Sequence, residues 1–276
     1  MDRIQDSEGP AIEVTGLSRV FGPLVALDCV DLTIPRGAVF GLLGPNGAGK
    51  TTTVRILNGV LEPSSVVALR VLGHDLLQEP EAIRPQVGVQ TDTNLYERLS
   101  ARENLAVFAR LYGIDVTHAR LRADELLEMF GLLDRASERV EKFSKGMKQK
   151  LLIARALVAR PHLVYLDEPT AGLDPEASHE LMTYIKRVSH EARTTFFITS
   201  HRLEEMEGVC TAVAVLADGR IRATGSPDEV ARAAVPRHRV RVRPRAGSVL
   251  ADRDLAGLPG VVRVVRLADG FAVDLV

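Results

Sequence analysis

The chain has 276 residues, which is enough to bury a large core and to hold one large domain, or one domain with a small appendage. Hydrophobic residues make up 46% and charged residues 26%, a composition that is typical of globular proteins and excludes disordered and fibrous classes. The formal net charge of −1 excludes a global electrostatic field that would recruit nucleic acid or a membrane surface, so no nucleic-acid partner is expected.

The cysteines and the N-terminus indicate the compartment. Cys29 and Cys210 are far apart and lack zinc-type spacing, so we expect two reduced structural thiols, as in cytosolic proteins. Residues 1–10 predict a flexible N-terminus without the apolar segment of a secretory signal. The sequence contains no run of about 18 uncharged apolar residues, so we expect a cytoplasmic chain that does not itself span a bilayer.

Residues 11–43 predict an antiparallel layer of short strands. Apolar and polar residues alternate at 12–14 and again at 24–34, and Gly16, Gly22 and Pro23 punctuate the stretch between the two runs. Residues 66–72 predict one further strand or strand pair.

Residues from about 95 to 160 predict an inserted helical block. Apolar side chains recur there at helical spacing, which predicts that they form a core. These side chains are Leu126, Phe130 and Leu133, and then Met147, Leu151, Ala154 and Val158.

Beyond the helical block, strands and helices alternate, which predicts a mainly parallel α/β sheet. Residues 163–166 and 195–199 are apolar enough for strands that are covered on both faces. Further predicted elements are a helix that begins at Asp174-Pro175, a short helix at about 203–208 and a hairpin turn at Asp218-Gly219.

The composition shifts towards Arg, Val and Pro near Ala231, which predicts a small C-terminal appendage at 231–276 with strands at 261–265 and 271–276. Arginines occupy every second position from 237 to 245, so a strand would present all of them on one face. Two interpretations stay open, a solvated strand face or a surface for anionic lipid or an acidic partner. The arginines are Arg237, Arg239, Arg241, Arg243 and Arg245.

Residues 44–52 match the phosphate-loop pattern G-x-x-x-x-G-K-[ST] and follow the apolar run 39–43. Such a loop points backbone N–H groups at phosphate oxygens, at the positive end of the next helix. We expect Lys50 to reach the β- and γ-phosphates of a nucleoside triphosphate and Thr51 to offer a hydroxyl to Mg²⁺. The loop residues are Gly44, Pro45, Asn46, Gly47, Ala48, Gly49, Lys50, Thr51 and Thr52.

Asp167 and Glu168 stand at the carboxyl end of the apolar run 163–166. Open α/β sheets place their ligand sites at this end of their strands. Next to a phosphate loop, Asp167 can hold the Mg²⁺ shell, and Glu168 can polarise the water that attacks the γ-phosphate.

Taken together, these elements resemble the ATP-binding subunit of an ABC transporter, in family order, over about residues 11–226. The resemblance implies a P-loop ABC ATPase fold at 11–230, with a mainly parallel core sheet, an N-terminal antiparallel β layer, a helical subdomain at about 95–160 and a small C-terminal β-containing appendage. The matching segments are 44–52 (Walker A), 143–149 (signature), 163–168 (Walker B), 171–174 (D-loop) and His201 (switch histidine).

The resemblance also implies roles for single residues. Phe21 is similar to the aromatic residue that stacks on adenine, and His201 is expected to contact the γ-phosphate and the opposing D-loop, which contains Asp174. Ser144 and Gly146 are expected to complete the ATP site of a second copy, in an ATP-dependent head-to-tail dimer.

The chain departs from the family pattern at two places. The signature usually has glycine where Lys145 stands and glutamine where Met147 stands, so we expect added charge near phosphate and one lost polar contact. The family also carries a glutamine that contacts Mg²⁺ and water, and either Gln90 or Thr91 can fill that position.

The resemblance implies ATP hydrolysis that powers a separate membrane permease. The Ser-Lys-Gly-Met variant resembles the ABC-2 type ATPases of drug and antibiotic exporters, so we expect the export of drugs, antibiotics or similar compounds. The chain would lie on the inner face of the membrane, with ATP and Mg²⁺ as cofactors and the helical block docked on the permease. The alternatives are an ABC ATPase of translation or DNA repair, and a nucleotide-binding regulator without turnover. Glu168 and His201 disfavour the regulator.

Overall fold

The computed structural model describes residues 9–90, 95–234, 238–243, 252–267 and 269–275. The strands are β1 (Ile12–Phe21), β2 (Leu24–Ile34), β3 (Val39–Leu43), β4 (Ala68–Val71), β5 (His74–Asp75), β6 (Val87–Gln90), β7 (Leu163–Asp167), β8 (Thr195–Ser200), β9 (Ala212–Ala217), β10 (Arg220–Gly225), β11 (His238–Val242), β12 (Val261–Leu267) and β13 (Gly270–Leu275). The α-helices are α1 (Lys50–Leu57), α2 (Pro80–Ile83), α3 (Ala101–Leu111), α4 (Val116–Met129), α5 (Lys145–Ala156), α6 (Pro175–Ala192), α7 (Pro227–Ala234) and α8 (Asp252–Ala256).

The N-terminal sheet has the strand order β2-β1-β4-β5 and is antiparallel throughout. The predicted antiparallel layer is therefore confirmed, but its first strands are long, with 10 residues in β1 and 11 in β2. Gly16 does not end a strand: it lies inside β1 with φ +65°, between residues where the pairing register shifts. The N–H of Gly16 donates to Asp31 Oδ1 at 2.7 Å, which holds this bulge in place.

The central sheet has the order β10-β9-β3-β8-β7-β6. All its pairs are parallel except the hairpin of β9 and β10, which confirms the predicted mainly parallel sheet. Because β3, β6, β7 and β8 run in the same direction, their carboxyl ends meet at one edge. The phosphate loop, Gln90, Asp167 and His201 all stand at or just beyond that edge.

The helical block is built from α3, α4 and α5, and its core is made of apolar side chains. Leu126, Phe130, Leu151, Ala154 and Val158 are buried there, as the helical spacing predicts.

The spacing is misleading at the helix ends. Leu133 is 38% exposed, because α4 ends at Met129 and Gly131, at φ +66°, turns the chain before the 3₁₀ turn Leu133–Arg135. Similarly, α5 ends at Ala156, so Val158 is buried beyond the helix rather than inside it.

The prediction of a helix at 203–208 is wrong, because this segment is a series of turns. The N–H of Met206 donates to the carbonyl oxygen of Leu203 at 2.8 Å, three residues back, and Gly208 has φ +69°. The segment therefore forms consecutive turns and no continuous α-helix.

The contacts within the chain divide it into one unit up to Val230 and a second unit from Ala231. The second unit contains an antiparallel sheet, β11-β13-β12, with a small core of Leu255, Phe271 and Val273. Arg241 and Arg243 are exposed, and Arg243 pairs with Asp269 at 3.0 Å. Residues 1–8 of the predicted N-terminal segment 1–10 lie outside the described residues, as do Arg237, Arg245 and Val276.

No helix in the described part of the chain is both long and apolar enough to cross a membrane.

Candidate nucleotide and catalytic site

The phosphate loop connects β3, which is buried at every position, to α1. The loop lies so close to its neighbours that a Cβ on Gly44 would be 2.3 Å from the carbonyl oxygen of Leu216, and one on Gly49 would be 2.6 Å from that of Ala26. Gly49 has φ +108° and is the N-cap of α1. Because glycine has no side chain to cap the helix, the first-turn N–H groups of α1 remain available to phosphate oxygens.

Lys50, the first residue of α1, is only 5% exposed. Its Nζ donates to the carbonyl oxygens of Gly44 at 2.8 Å and Pro45 at 3.1 Å, and lies 3.2 Å from Glu168 Oε1. A buried ammonium group needs such partners, because removal from water disfavours its charge. Lys50 therefore presents its charge between the loop and the carboxylate that follows β7.

Asp167 and Glu168 are both held by Thr199, a fully buried residue of the neighbouring strand β8. The Thr199 hydroxyl donates to Asp167 Oδ1 at 2.5 Å and accepts the N–H of Glu168 at 2.9 Å. Glu168 has φ +47°, a left-handed conformation that non-glycine residues adopt rarely and that is concentrated at functional sites. These bonds fix the carboxylate of Asp167 and the backbone of Glu168 at the edge of the sheet.

His201 follows β8 and has a side chain that is about half exposed. Its Nδ1 lies 3.4 Å from Glu168 Oε2, while Glu168 Oε1 faces Lys50. The structure thus brings Lys50, Glu168 and His201 into one row at the edge of the sheet, next to the phosphate loop.

Gln90 ends β6 and stands in register with Leu166, the residue before Asp167. Its side chain is buried, and Oε1 has no hydrogen-bond partner among the described residues. Thr51 and Asp167 line a single cavity of about 530 Å³. A buried oxygen without a donor is an acceptor that a cation or its water can use. Thr91, the competing candidate, lies outside the described residues.

Arg155, on α5, lines the same cavity as Thr51 and Asp167 and adds positive charge to it. Its guanidinium lies 4.5 Å from the centre of the Phe108 ring. Burial lowers the pKa of Arg155, but arginine stays charged because its ordinary pKa is so high. The sequence alone does not single out this residue.

Phe21 ends β1 and faces Leu24 across the β1–β2 hairpin. The residue is 41% exposed, and the guanidinium of Arg19 lies 4.4 Å from the ring centre. Strand β2 also contains Ala26, which contacts the phosphate loop at Gly49. Phe21 therefore stands in the layer beside the loop, with aromatic surface on which a planar ring can stack.

Ser144, Gly146 and Asp174 form a second cluster. Ser144 is the N-cap of α5, and its Oγ accepts the N–H of Met147 at 3.3 Å. Asp174 is the N-cap of α6, as predicted, and its Oδ1 accepts the N–H of Ala177 at 2.9 Å. The two helix starts are neighbours, since a Cβ on Gly146 would lie 3.9 Å from that of Ala177. Within the described residues, no hydrogen bond or ion pair joins this cluster to the phosphate loop.

The two departures from the signature pattern have intramolecular contacts. A Cβ on Gly172 would lie 1.9 Å from Lys145 Nζ, so the lysine side chain lies against the segment 171–174. Met147 is partly buried and packs against the apolar core of the helical block. Both side chains thus contact other segments of the same chain.

The sequence patterns did not reveal Thr199 and Tyr165, two residues that support the site. Tyr165 in β7 is fully buried, and its hydroxyl donates to the carbonyl oxygen of Leu57 at the end of α1, at 3.0 Å. Burial raises the pKa of this phenol, so it remains a donor. A polar residue at the end of an otherwise apolar strand is the only signal that could have identified Thr199.

The family profile described as "ABC transporter" matches residues 27–171. The chain belongs to the ABC transporter family. It is 40% identical over 221 residues to the daunorubicin resistance ATP-binding protein DrrA3 of Streptomyces coeruleorubidus, covering 80% of this chain and 69% of that protein. It is 38% identical to the bacitracin transport ATP-binding protein BcrA of Bacillus licheniformis, covering 76% of this chain and 68% of that protein.

The fold is similar to that of solved ABC proteins. The structure of cbiO1 from Clostridium perfringens, described as part of the ABC transporter complex cbiONQ, has a TM-score of 0.76 and 28% identity, over 82% of this chain and 92% of that one. This ABC protein binds ATP and is an ATPase, with hydrolysis coupled to transport.

Proposed function

We propose that this chain is a cytoplasmic ATPase subunit that drives a separate membrane permease and exports drugs, antibiotics or similar compounds. The observation that carries the ATPase assignment is the row of Lys50, Glu168 and His201 beside the phosphate loop. Export is supported by the resistance and transport proteins among its relatives, and the same relatives favour transport over translation or DNA repair.

Each residue of the row has a distinct task in hydrolysis. Lys50 binds the β- and γ-phosphates, and the backbone N–H groups at 44–52 complete the cradle. Glu168 polarises the attacking water, a contribution of about 10²- to 10⁴-fold in rate. His201 contacts the γ-phosphate from the end of β8. The contact of Glu168 with both Lys50 and His201 supports this arrangement.

Thr51, Asp167 and Gln90 are the proposed ligands of Mg²⁺. The Gln90 Oε1 is buried and without a hydrogen-bond donor in the described part of the chain, and Thr51 and Asp167 line one cavity, so the oxygen donors fit this ion. When bound, Mg²⁺ neutralises negative charge on the phosphates. Phe21 stacks on the adenine ring.

The second cluster completes the site of another copy, which makes the active form a head-to-tail dimer. Ser144 and Gly146 lie at the start of a 12-residue helix, and a helix start attracts anions. Asp174 is the N-cap of the neighbouring helix, and Lys145 of the signature lies against Gly172, so the segment 171–174 lies beside the signature. Two chains that exchange these surfaces enclose two ATP molecules.

The ATPase assignment is tested by turnover. The Lys50→Ala and Glu168→Gln variants should lose at least about 10²-fold in kcat, because each removes a group that acts on the phosphates or the water. Glu128→Gln, which changes an exposed carboxylate on α4, is the matched control and should retain turnover. Wild-type turnover no higher than that of Lys50→Ala would favour a regulator without hydrolysis.

The dimer is tested by size-exclusion chromatography of Glu168→Gln with and without ATP and Mg²⁺. We expect a dimer only with nucleotide, because slow hydrolysis preserves the ATP that joins the two chains. Adding Ser144→Arg should restore the monomer, since it places a bulky side chain at the start of α5. A monomer under all conditions argues against the shared site.

The permease is tested by isolating the tagged chain from membranes of its own cells and identifying what accompanies it. Recovery of a polytopic membrane protein supports the transport role. Recovery of ribosomes or DNA-repair proteins instead would favour the alternative class of ABC ATPase.

A further inference from the structure

A polar network that has no part in the roles proposed above lies next to Glu168 and His201. Its centre is Glu205, in the turn segment 203–208, whose side chain is only 7% exposed. One carboxylate oxygen, Oε2, accepts hydrogen bonds from Thr170 Oγ1 at 2.6 Å and Ser200 Oγ at 2.8 Å. The other, Oε1, lies 3.0 Å from the guanidinium of Arg202.

The two hydroxyls belong to different segments of the catalytic edge. Thr170 stands two residues after Glu168, on the segment that leads to Asp174, and Ser200 immediately precedes His201. Both are almost completely buried, so water does not compete for these hydrogen bonds. A single carboxylate oxygen therefore connects the backbone after the catalytic glutamate to the backbone before the histidine.

Burial of this carboxylate would be costly without partners, and the contacts with Thr170, Ser200 and Arg202 offset that cost. Such a buried polar centre adds little net stability compared with an apolar replacement, so stability alone gives a weak reason for it. The carboxylate does fix the relative placement of two segments. Because Thr170 and Ser200 both donate to Glu205 Oε2, their segments stay at a set distance from each other.

We propose that Glu205 is a positioning residue for ATP hydrolysis, which holds Thr170 and Ser200 together so that Glu168, His201 and the segment 171–174 keep one relative placement. This inference rests on the roles proposed above for Glu168 and His201. Glu205 itself touches neither nucleotide nor water in this scheme, and acts through the two hydroxyls.

Steady-state ATPase measurements on the full chain test the inference through kcat and KM separately. Glu205→Gln should lower kcat about 10- to 100-fold, as small misplacements of catalytic groups do, while KM for ATP stays unchanged because the phosphate loop is intact. Thr170→Val should also lower kcat, whereas Thr170→Ser, which keeps the hydroxyl, should retain the kcat of the wild type. The control is Glu204→Gln, an exposed neighbour of Glu205, which should behave as wild type.

Hydrogen exchange supplies a readout that is independent of turnover. In Glu205→Gln, amides in 169–174 and in 200–202 should both exchange faster, while those in 44–52 keep the wild-type rate.

Unchanged exchange in either segment, or wild-type kcat in both Glu205→Gln and Thr170→Val, would overturn the inference. A general loss of melting temperature together with a raised KM would also overturn it, because it would show a merely structural role. Absence of turnover in the wild type would instead refute the proposed function and with it a role in hydrolysis, and the exchange experiment would then decide only whether Glu205 holds the two segments together.

Discussion

Thr199 supports the site at two points, because its one hydroxyl bonds the carboxylate of Asp167 and the backbone of Glu168. It donates to Asp167 and accepts the N–H of Glu168, whose φ of +47° is a strained conformation. Strain of this kind costs about 1–3 kcal/mol and persists only where the surroundings enforce it. The side chain of Thr199 is therefore part of what enforces it.

We expect Thr199→Val, which keeps the shape of the residue, to lower the free energy of unfolding by about 1–3 kcal/mol, since it removes the partner of the partly buried Glu168 N–H and of Asp167 Oδ1. Turnover should fall as Glu168 loses its fixed position. Thr199→Ser retains the hydroxyl and is the control. Chemical denaturation and ATPase assays measure both effects, and a Val variant as stable and active as the Ser variant would contradict the role.

The catalytic candidates could be predicted at the residue scale, but their supports could not. Lys50, Glu168 and His201 follow apolar runs or stand in a glycine-rich loop, and such local patterns identify them. Thr199 is 32 residues from Asp167 in sequence and Glu205 is 35 from Thr170. No local spacing encodes such a pair, because it arises only when the parallel strands come side by side.

At the scale of single elements, α3 has a complete capping box at its N-terminus. The N–H of Glu103 donates to Ser100 Oγ at 3.2 Å, and the N–H of Ser100 donates to Glu103 Oε2 at 2.7 Å. The hydrogen bonds from the Ser100 backbone and side chain lower the pKa of Glu103. Because the folded-state pKa is lowered, the stabilisation is present above the ordinary pKa and is lost as the pH falls through the lowered value.

Ser100→Ala should therefore destabilise the protein by about 1 kcal/mol, whereas Ser100→Thr, which keeps the hydroxyl, should cost less. For Glu103→Gln, the stability difference from wild type should be present at neutral pH and shrink as the pH falls below 4.5, the ordinary glutamate value. Denaturation curves over a pH series measure this. A difference that stays constant at acid pH would contradict the charge-dependent part.

Elements with uniform patterns were predictable, and elements that depend on turns were not. The run at 163–166 is apolar throughout, and the run at 195–199 has three apolar residues between two threonines; they form β7 and β8, which are buried on both faces. The segment 203–208 has helix-forming residues, but Gly208 and the contacts of Glu205 hold it in turns. Tertiary contacts override helix propensity where the segment is this short.

At the largest scale, the central sheet of the unit up to Val230 separates two apolar cores. Val39 and Leu43 of β3 face the core that continues into the helical block, whereas Phe40 and Leu42 face the core shared with the N-terminal sheet. A buried strand that serves both cores in alternation couples them, so the unit up to Val230 should unfold cooperatively. The alternation of helices and strands made this layered fold predictable. The pairing order of its strands followed only from the structure.

The two cysteines provide a test of that cooperativity. Cys210 is buried, its Sγ lies 3.2 Å from Met206 Sδ, and burial raises its pKa to about 12, so almost no thiolate exists at pH 8. Cys29 is exposed.

In the native protein, iodoacetamide at pH 8 should therefore alkylate Cys29 first, and Cys210 only as the core opens. ATP should slow the labelling of Cys210, because a ligand of the native state lowers the unfolded population, and should leave Cys29 unaffected. Mass spectrometry of each peptide over time measures both rates, with denatured protein as the control in which both cysteines label. Equal alkylation rates of Cys29 and Cys210 in the native protein would contradict this prediction. An alkylation rate of Cys210 that does not change with ATP would contradict an opening of the core that is coupled to the nucleotide site.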